Sequence, residues 1–184
     1  MHLKRWLSGL IMAPALIWVV LYAPRPLFLA FILLLTFQGW REFQALLQAE
    51  QPFPQRTFTL ILGLLLTASL YRGEGPHVLP ILGMIFLLRF AFSLFPPHDF
   101  PLRLERLSRD LLGLFYISFL LGHFLLLHGL EEGPAWVLFT LAAVYSGDTA
   151  AFYVGLAWGK KKLAPRISPG KTVEGGLGAV GGSL

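Results

Sequence analysis

The chain has 184 residues, 55% of them hydrophobic and 14% charged, with a net charge of +5, a mean hydropathy of +0.66 and no cysteine. These proportions exclude a soluble domain that buries its apolar residues in amphipathic stripes, because the apolar residues come in blocks long enough to cross a hydrocarbon core of about 30 Å. The lack of cysteine excludes disulfides and thiolate metal sites, leaving oxygen or imidazole for any metal.

The first block, residues 7–22, follows Lys4 and Arg5, and Ala13-Pro14-Ala15 imitates a signal-peptide cleavage site. The apolar run before Ala13 is too short for a signal peptide and continues to Val20, so the block reads as a membrane span. Further spans are predicted at residues 27–40 extending to about 47, and at 57–71, 78–95, 111–128 and 135–158. The Gly-rich run 175–184 is too short to cross. The fold class expected is all-α: a polytopic transmembrane helical bundle of six spans plus an incomplete seventh.

Lys and Arg are held back on the cytoplasmic side of bacterial-type membranes. A cytoplasmic amino terminus puts Lys4, Arg5, Arg41, Arg56, Arg103, Arg106, Arg109, Lys160, Lys161, Lys162, Arg166 and Lys171 inside and only Arg25 and Arg72 outside, twelve against two. Arg89 falls within the fourth span, where it pairs with a carboxylate or snorkels. Arg103, Arg106 and Arg109 lie along the interface, a position that topology alone explains. His123 and His128 sit near the outer interface, without the partner spacing of a metal site.

The sixth span carries the chemistry. Small residues recur at Ala143, Gly147, Ala151, Gly155 and Gly159, a stripe that lets another helix approach closely, within or between chains. Asp148 lies beside that stripe, roughly 16 Å of helix before the basic loop at about 1.5 Å per residue. A charge in hydrocarbon is costly, so its carboxylate is expected to face protein, either as a packing hydrogen bond or in a functional role.

After the span, Lys160, Lys161, Lys162, Arg166 and Lys171 crowd five cations into twelve residues. A membrane-surface anchor explains the three consecutive lysines. Arg166 and Lys171 sit among Pro165, Ser168, Pro169 and Gly170, which shape a loop, and are candidates to touch a phosphate. Gly170-Lys171-Thr172 ends like a nucleotide-binding P-loop, but Pro165 stands where that motif needs glycine and no buried strand precedes it. A helix start is expected here instead, capped by Ser168 or Thr172, and a helix amino terminus beside lysine suits a phosphate. Glu174 is open to three roles: metal ligand, proton carrier, or partner of Lys171.

The stretch SGDTAAFYVGLAWGKKKLAPRISPGKTVEGG, residues 146–176, resembles the core of the phosphatidate cytidylyltransferase (CDP-diacylglycerol synthase) family. The opening LKRWLSGLIMAPALIWVVLY, the run from Trp40 to Phe43 and LLGLFYISFLLGHFLLL are similar to the family as well. The resemblance implies two parts, amino-terminal spans over 1–134 and the start of the cytidylyltransferase core over 135–184. It implies an integral-membrane nucleotidyltransferase of phospholipid biosynthesis that joins CTP to phosphatidic acid, giving CDP-diacylglycerol and pyrophosphate. The catalytic residues expected are Asp148, Lys171 and Glu174; the substrate-binding residues are Lys160, Lys161, Lys162, Arg166, Ser168 and Thr172. Magnesium is the cofactor expected, with Asp148 as a ligand.

The partners implied are CTP, phosphatidic acid and membrane lipids, with no nucleic acid and with a homodimer left open. The location implied is the inner (plasma) membrane, multi-pass, with a cytoplasmic active face. The family's carboxy-terminal signature, a Lys-Asp pair, a His-Gly-Gly and an Asp-Arg-x-Asp element, does not occur. The chain is therefore expected to be the amino-terminal part of a longer protein or a truncated product, with most metal ligands elsewhere. Two other readings remain: a CTP-dependent polyprenol or lipid kinase, and a non-catalytic membrane protein or transporter, although neither an internal repeat nor paired interrupted helices occurs.

Overall fold

The computed structural model describes residues 2–72, 77–95 and 99–184, with side chains from residue 12 onward, so the side chains of Lys4 and Arg5 lie outside it. The chain divides into two compact units, Met1–Gly133 and Pro134–Leu184.

The first unit is helical. α1 (His2–Tyr22), α2 (Arg25–Leu47), α3 (Phe53–Ser69) and α4 (Val78–Ser93) precede α5 (Phe100–Gly113), a π-helical stretch Leu114–Phe119 and α6 (Leu120–His128). α2, α3 and α5 each carry proline in the first turn, where the missing N–H costs no helical bond. The last three pieces run on as one helix, Phe100–His128, of 29 residues. The connection expected before residue 111 is thus helical from Phe100, with Pro101 opening it and the Arg109–Glu105 pair one turn apart supporting it. Phe53–Arg72, Phe100–His128 and Gly133–Trp158 are long and apolar enough to cross a membrane; Met12–Tyr22 and His77–Ser93 are shorter apolar helices.

Trp40 organises the core of this unit together with Leu62, Leu66, Ile85, Leu114 and Ile117. Its indole N–H donates to the Ser118 hydroxyl at 2.8 Å. Gly63 and Gly113 make room for the ring: a Cβ on Gly63 would overlap the indole nitrogen, and one on Gly113 would come within 2.6 Å of the ring edge. The Thr67 hydroxyl reaches the carbonyls of Gly63 and of Ser118, each at 3.1 Å, and so ties α3 to the π-helical stretch.

A second polar layer closes one end of the unit. Asp110 is fully buried, accepts from Gln48 Nε2 at 2.8 Å and pairs with the buried Arg89, the carboxylate partner expected for that arginine. Gln44 donates to the Arg56 carbonyl and Arg109 to the Leu47 carbonyl, both at 2.8 Å. Other contacts hold the opposite end. His128 stacks on Phe28 with ring centroids 4.1 Å apart, and Arg25 donates to the Tyr71 carbonyl at 3.4 Å.

The second unit consists of α7 (Gly133–Trp158), strands β1 (Lys162–Ala164) and β2 (Ser168–Thr172), and α8 (Val173–Ser183). The structure is helical as the all-α class expects, with one short two-stranded antiparallel sheet that the sequence did not suggest. Pro165 takes the second position of a tight turn that the Ile167 N–H closes on the Ala164 carbonyl at 3.1 Å, which folds the basic segment back on itself. Lys162 pairs with Thr172 and Ala164 with Ser168, with a register shift between them. Three residues of β2, Pro169 to Lys171, thus stand opposite one of β1, as suits a proline that cannot donate to the ladder.

The Gly-rich run expected to be an incomplete span is α8, eleven residues long, and it lies on the small-residue stripe of α7. A Cβ on Gly182 would come within 2.8 Å of the Ser146 carbonyl, one on Gly178 within 2.7 Å of Val154, and one on Gly175 within 2.9 Å of the Ala151 carbonyl. The stripe is used within the chain. Gly147, Ala150, Ala151, Val154 and Gly155 supply the α7 side of this close approach.

Candidate functional site

The hairpin between α7 and α8 gathers the cations. Lys160, Lys161, Lys162, Arg166 and Lys171 are all exposed, Arg166 at the turn and Lys171 on the bulged part of β2. Five like charges on so short a segment repel one another and attract anions, most strongly a polyphosphate, which several side chains can meet at once. Ser168 is half-buried and begins β2. Gly170-Lys171-Thr172 forms the end of that strand rather than a loop around a phosphate, in keeping with the exclusion of a P-loop.

Thr172 is the expected helix cap. It is 6% exposed, and its hydroxyl oxygen accepts the Gly175 N–H at 3.2 Å. Gly155 and Gly159 leave space for it: a Cβ on Gly159 would come within 2.8 Å of both branches of the threonine. Its side chain is therefore buried under the hairpin, and of the substrate-binding residues expected it is the one turned away from the surface.

Glu174 does not pair with Lys171 among the described residues. Its Oε2 accepts the backbone N–H of Lys160 at 3.1 Å and that of Lys161 at 3.2 Å. Its own amide, followed by those of Lys160 and Lys161 and by the Lys160 charge, holds its carboxyl below the usual carboxylate range. The sequence signal for this contact was weak, because the donors are main-chain groups thirteen and fourteen residues away.

Asp148 stands apart. It lies ten residues before the end of the unbroken helix α7, about 15 Å along the axis, so the helix does not bring it to the hairpin. Its side chain is exposed, which corrects the expectation that it faces protein within this unit. Gly147 is the residue that meets α8, near Ser183, and the next position turns about 100° to the open side. Among the described residues no three His, Asp or Glu side chains cluster to hold a metal. The residues present therefore do not build a magnesium site of their own; Asp148 is the single free carboxylate that this unit offers.

Of the other ionisable groups, the His123 ring nitrogen contacts the Phe119 carbonyl at 2.7 Å and that of His128 the Val20 carbonyl at 3.3 Å, both positioned by main chain. Asp110, not singled out from sequence, is the buried carboxylate of the first unit.

The model of the Cytidylyltransferase family matches residues 3–184, and the chain belongs to this family. It is similar to the phosphatidate cytidylyltransferase of Aquifex aeolicus, 30% identical over 88% of this chain and 56% of that protein. The enzyme of the same name from Synechocystis sp. is 30% identical over 85% of this chain and 61% of its own length. An uncharacterized Escherichia coli protein, YnbB, is 30% identical over 88% and 55%. The chain thus spans little more than half the length of these relatives.

Proposed function

We propose that this chain contributes to an integral-membrane enzyme that transfers the cytidylyl group of CTP to phosphatidic acid, forming CDP-diacylglycerol and releasing pyrophosphate. The observation that carries this reading is the family match over residues 3–184, with five exposed cations on the hairpin that follows the long apolar helix α7. A phosphate oxygen of phosphatidic acid attacks the alpha phosphorus of CTP, and the bond to the beta phosphate breaks as pyrophosphate leaves. Both reactants are anions. Exposed basic side chains bring them together and offset the charge on the leaving group.

In this reading Lys171 and Arg166 bind the CTP phosphates, Lys160, Lys161 and Lys162 hold the anionic head group at the membrane surface, and Ser168 hydrogen-bonds substrate at the start of β2. Asp148 is the catalytic carboxylate. Magnesium would neutralise charge on CTP; Asp148 is the carboxylate that this chain would offer it, and the remaining donors would have to come from outside these residues. The exposed carboxylate on an apolar helix fits this role, because a charge facing bare hydrocarbon is costly and needs water, an ion or further protein against it.

The topology proposed has six spans, a cytoplasmic amino terminus and a cytoplasmic active face at the inner membrane. What supports it is the segregation of charge in the first unit. Arg56 and Arg109 gather where Gln44 and Leu47 end α2, whereas Arg25 meets Tyr71 at the opposite end.

The test is label transfer from CTP into extracted lipid, with the label on either the alpha or the gamma phosphate. Alpha label in the lipid is expected. Gamma label in the lipid, with CDP released, would instead make the protein a lipid kinase.

A further inference from the structure

The amino terminus of α8 is a closed joint, although a helix start beside five cations looks like an anion site. Two of its first three amides, the first and the third, are occupied. The Val173 N–H donates to the Lys161 carbonyl at 2.9 Å and the Gly175 N–H to Thr172 Oγ1 at 3.2 Å. A phosphate held by more than one of these amides would have to displace one of these bonds, so anion binding falls to the side chains of the hairpin instead.

The Glu174 carboxylate then reaches across to the other end of the hairpin. Oε2 takes the N–H of both Lys160 and Lys161, and Oε1 also accepts from Lys161 at 3.3 Å, where the chain leaves α7. Together with the Val173 to Lys161 bond, this pins the first residue of α8 and its neighbour to the residues before β1. The ring closed in this way contains every cation of the site, from Lys160 to Lys171.

We infer that Glu174 is a positioning residue: it clamps the base of the hairpin and so fixes where the basic side chains stand, and it acts on substrate only through them. It is neither the proton carrier nor the metal ligand of the reaction. This inference rests on the cytidylyltransferase reading for its effect on catalysis, but the clamp itself does not depend on it. A clamp needs an acceptor oxygen at the right reach and no charge, whereas a base or metal ligand needs the charge.

Three variants of the purified protein in detergent separate the two. Glu174→Gln keeps an oxygen at full reach without the charge, Glu174→Asp keeps the charge one methylene short, and Glu174→Ala keeps neither. Hydrogen exchange of the Lys160 and Lys161 amides is followed by mass spectrometry beside CTP kinetics. The expected result is wild-type exchange in Glu174→Gln and exchange about tenfold faster in Glu174→Asp and Glu174→Ala. In the kinetics, KM for CTP should rise by about tenfold in the latter two, with kcat changed far less. Rescue by aspartate but not by glutamine, with the amides still protected, would overturn the inference. If the wild-type protein transfers no cytidylyl group, the exchange arm decides alone. Unchanged exchange in Glu174→Asp and Glu174→Ala would then refute the clamp.

Discussion

Asp148 and Lys171 carry opposite charges and sit on different elements, so their loss should damage the reaction in different ways. Asp148 has no partner among the described residues and lies on the exposed side of α7, so replacing it costs no packing. Asp148→Asn is expected to reduce cytidylyl transfer by at least about a hundredfold while the protein still inserts and purifies as before, the size of effect seen when a group acts in the transition state. Turnover near wild type would reduce it to a surface residue. Lys171→Ala is expected to raise KM for CTP by about tenfold with a smaller change in kcat, as the loss of a binding cation does. An unchanged CTP dependence would remove Lys171 from the phosphate site. The small-residue spacing located the face of α7 that packs, through Gly147, Ala151 and Gly155, yet misplaced Asp148. Periodicity reports which residues share a stripe and leaves open what covers the neighbouring position.

At the scale of elements, the helices were legible because uninterrupted apolar runs leave no other way to satisfy the backbone in a membrane. The hairpin was not. Its strands lack the alternation that marks a half-buried sheet, since Lys162–Ala164 is short and Ser168–Thr172 carries proline and glycine in a bulge. The π-helical stretch was equally invisible; within it Ser118 meets Trp40 and Thr67, partners far away in sequence. The glycines that face Trp40 make a sharp test of that core. Gly63→Ala would push a Cβ into the indole and to within 2.6 Å of the Ser118 hydroxyl. It should destabilise the first unit by about 1–3 kcal/mol, seen as a lower thermal midpoint in detergent. Gly83→Ala, with open space at its Cβ, should leave the midpoint nearly unchanged. Equal effects from the two would contradict the packing described.

On the scale of the whole molecule, the two units divide the labour. The first supplies buried polar joints between its helices; the second exposes its charges. Arg89 and Asp110 are the principal joint, both nearly inaccessible. Removing one partner leaves an uncompensated buried charge, so Arg89→Met is expected to cost roughly 3–5 kcal/mol, and pairing it with Asp110→Leu should recover much of that loss. A double variant as unstable as the sum of the two singles would show that the pair is not coupled. Sequence gave Arg89 a carboxylate partner in general terms but could not name it, because Asp110 comes 21 residues later in a run rich in arginine.

Pyrophosphate is the product that separates cytidylyl transfer from the other readings. Its release from CTP should be measured for this chain, and for a form extended to the length of its relatives, with phosphatidic acid and magnesium present and each omitted in turn. The extended form is expected to release pyrophosphate only when lipid, nucleotide and magnesium are all present, and neutralising the hairpin lysines should suppress that release. Release that ignores phosphatidic acid, or none from either form, would contradict the cytidylyl-transfer reading.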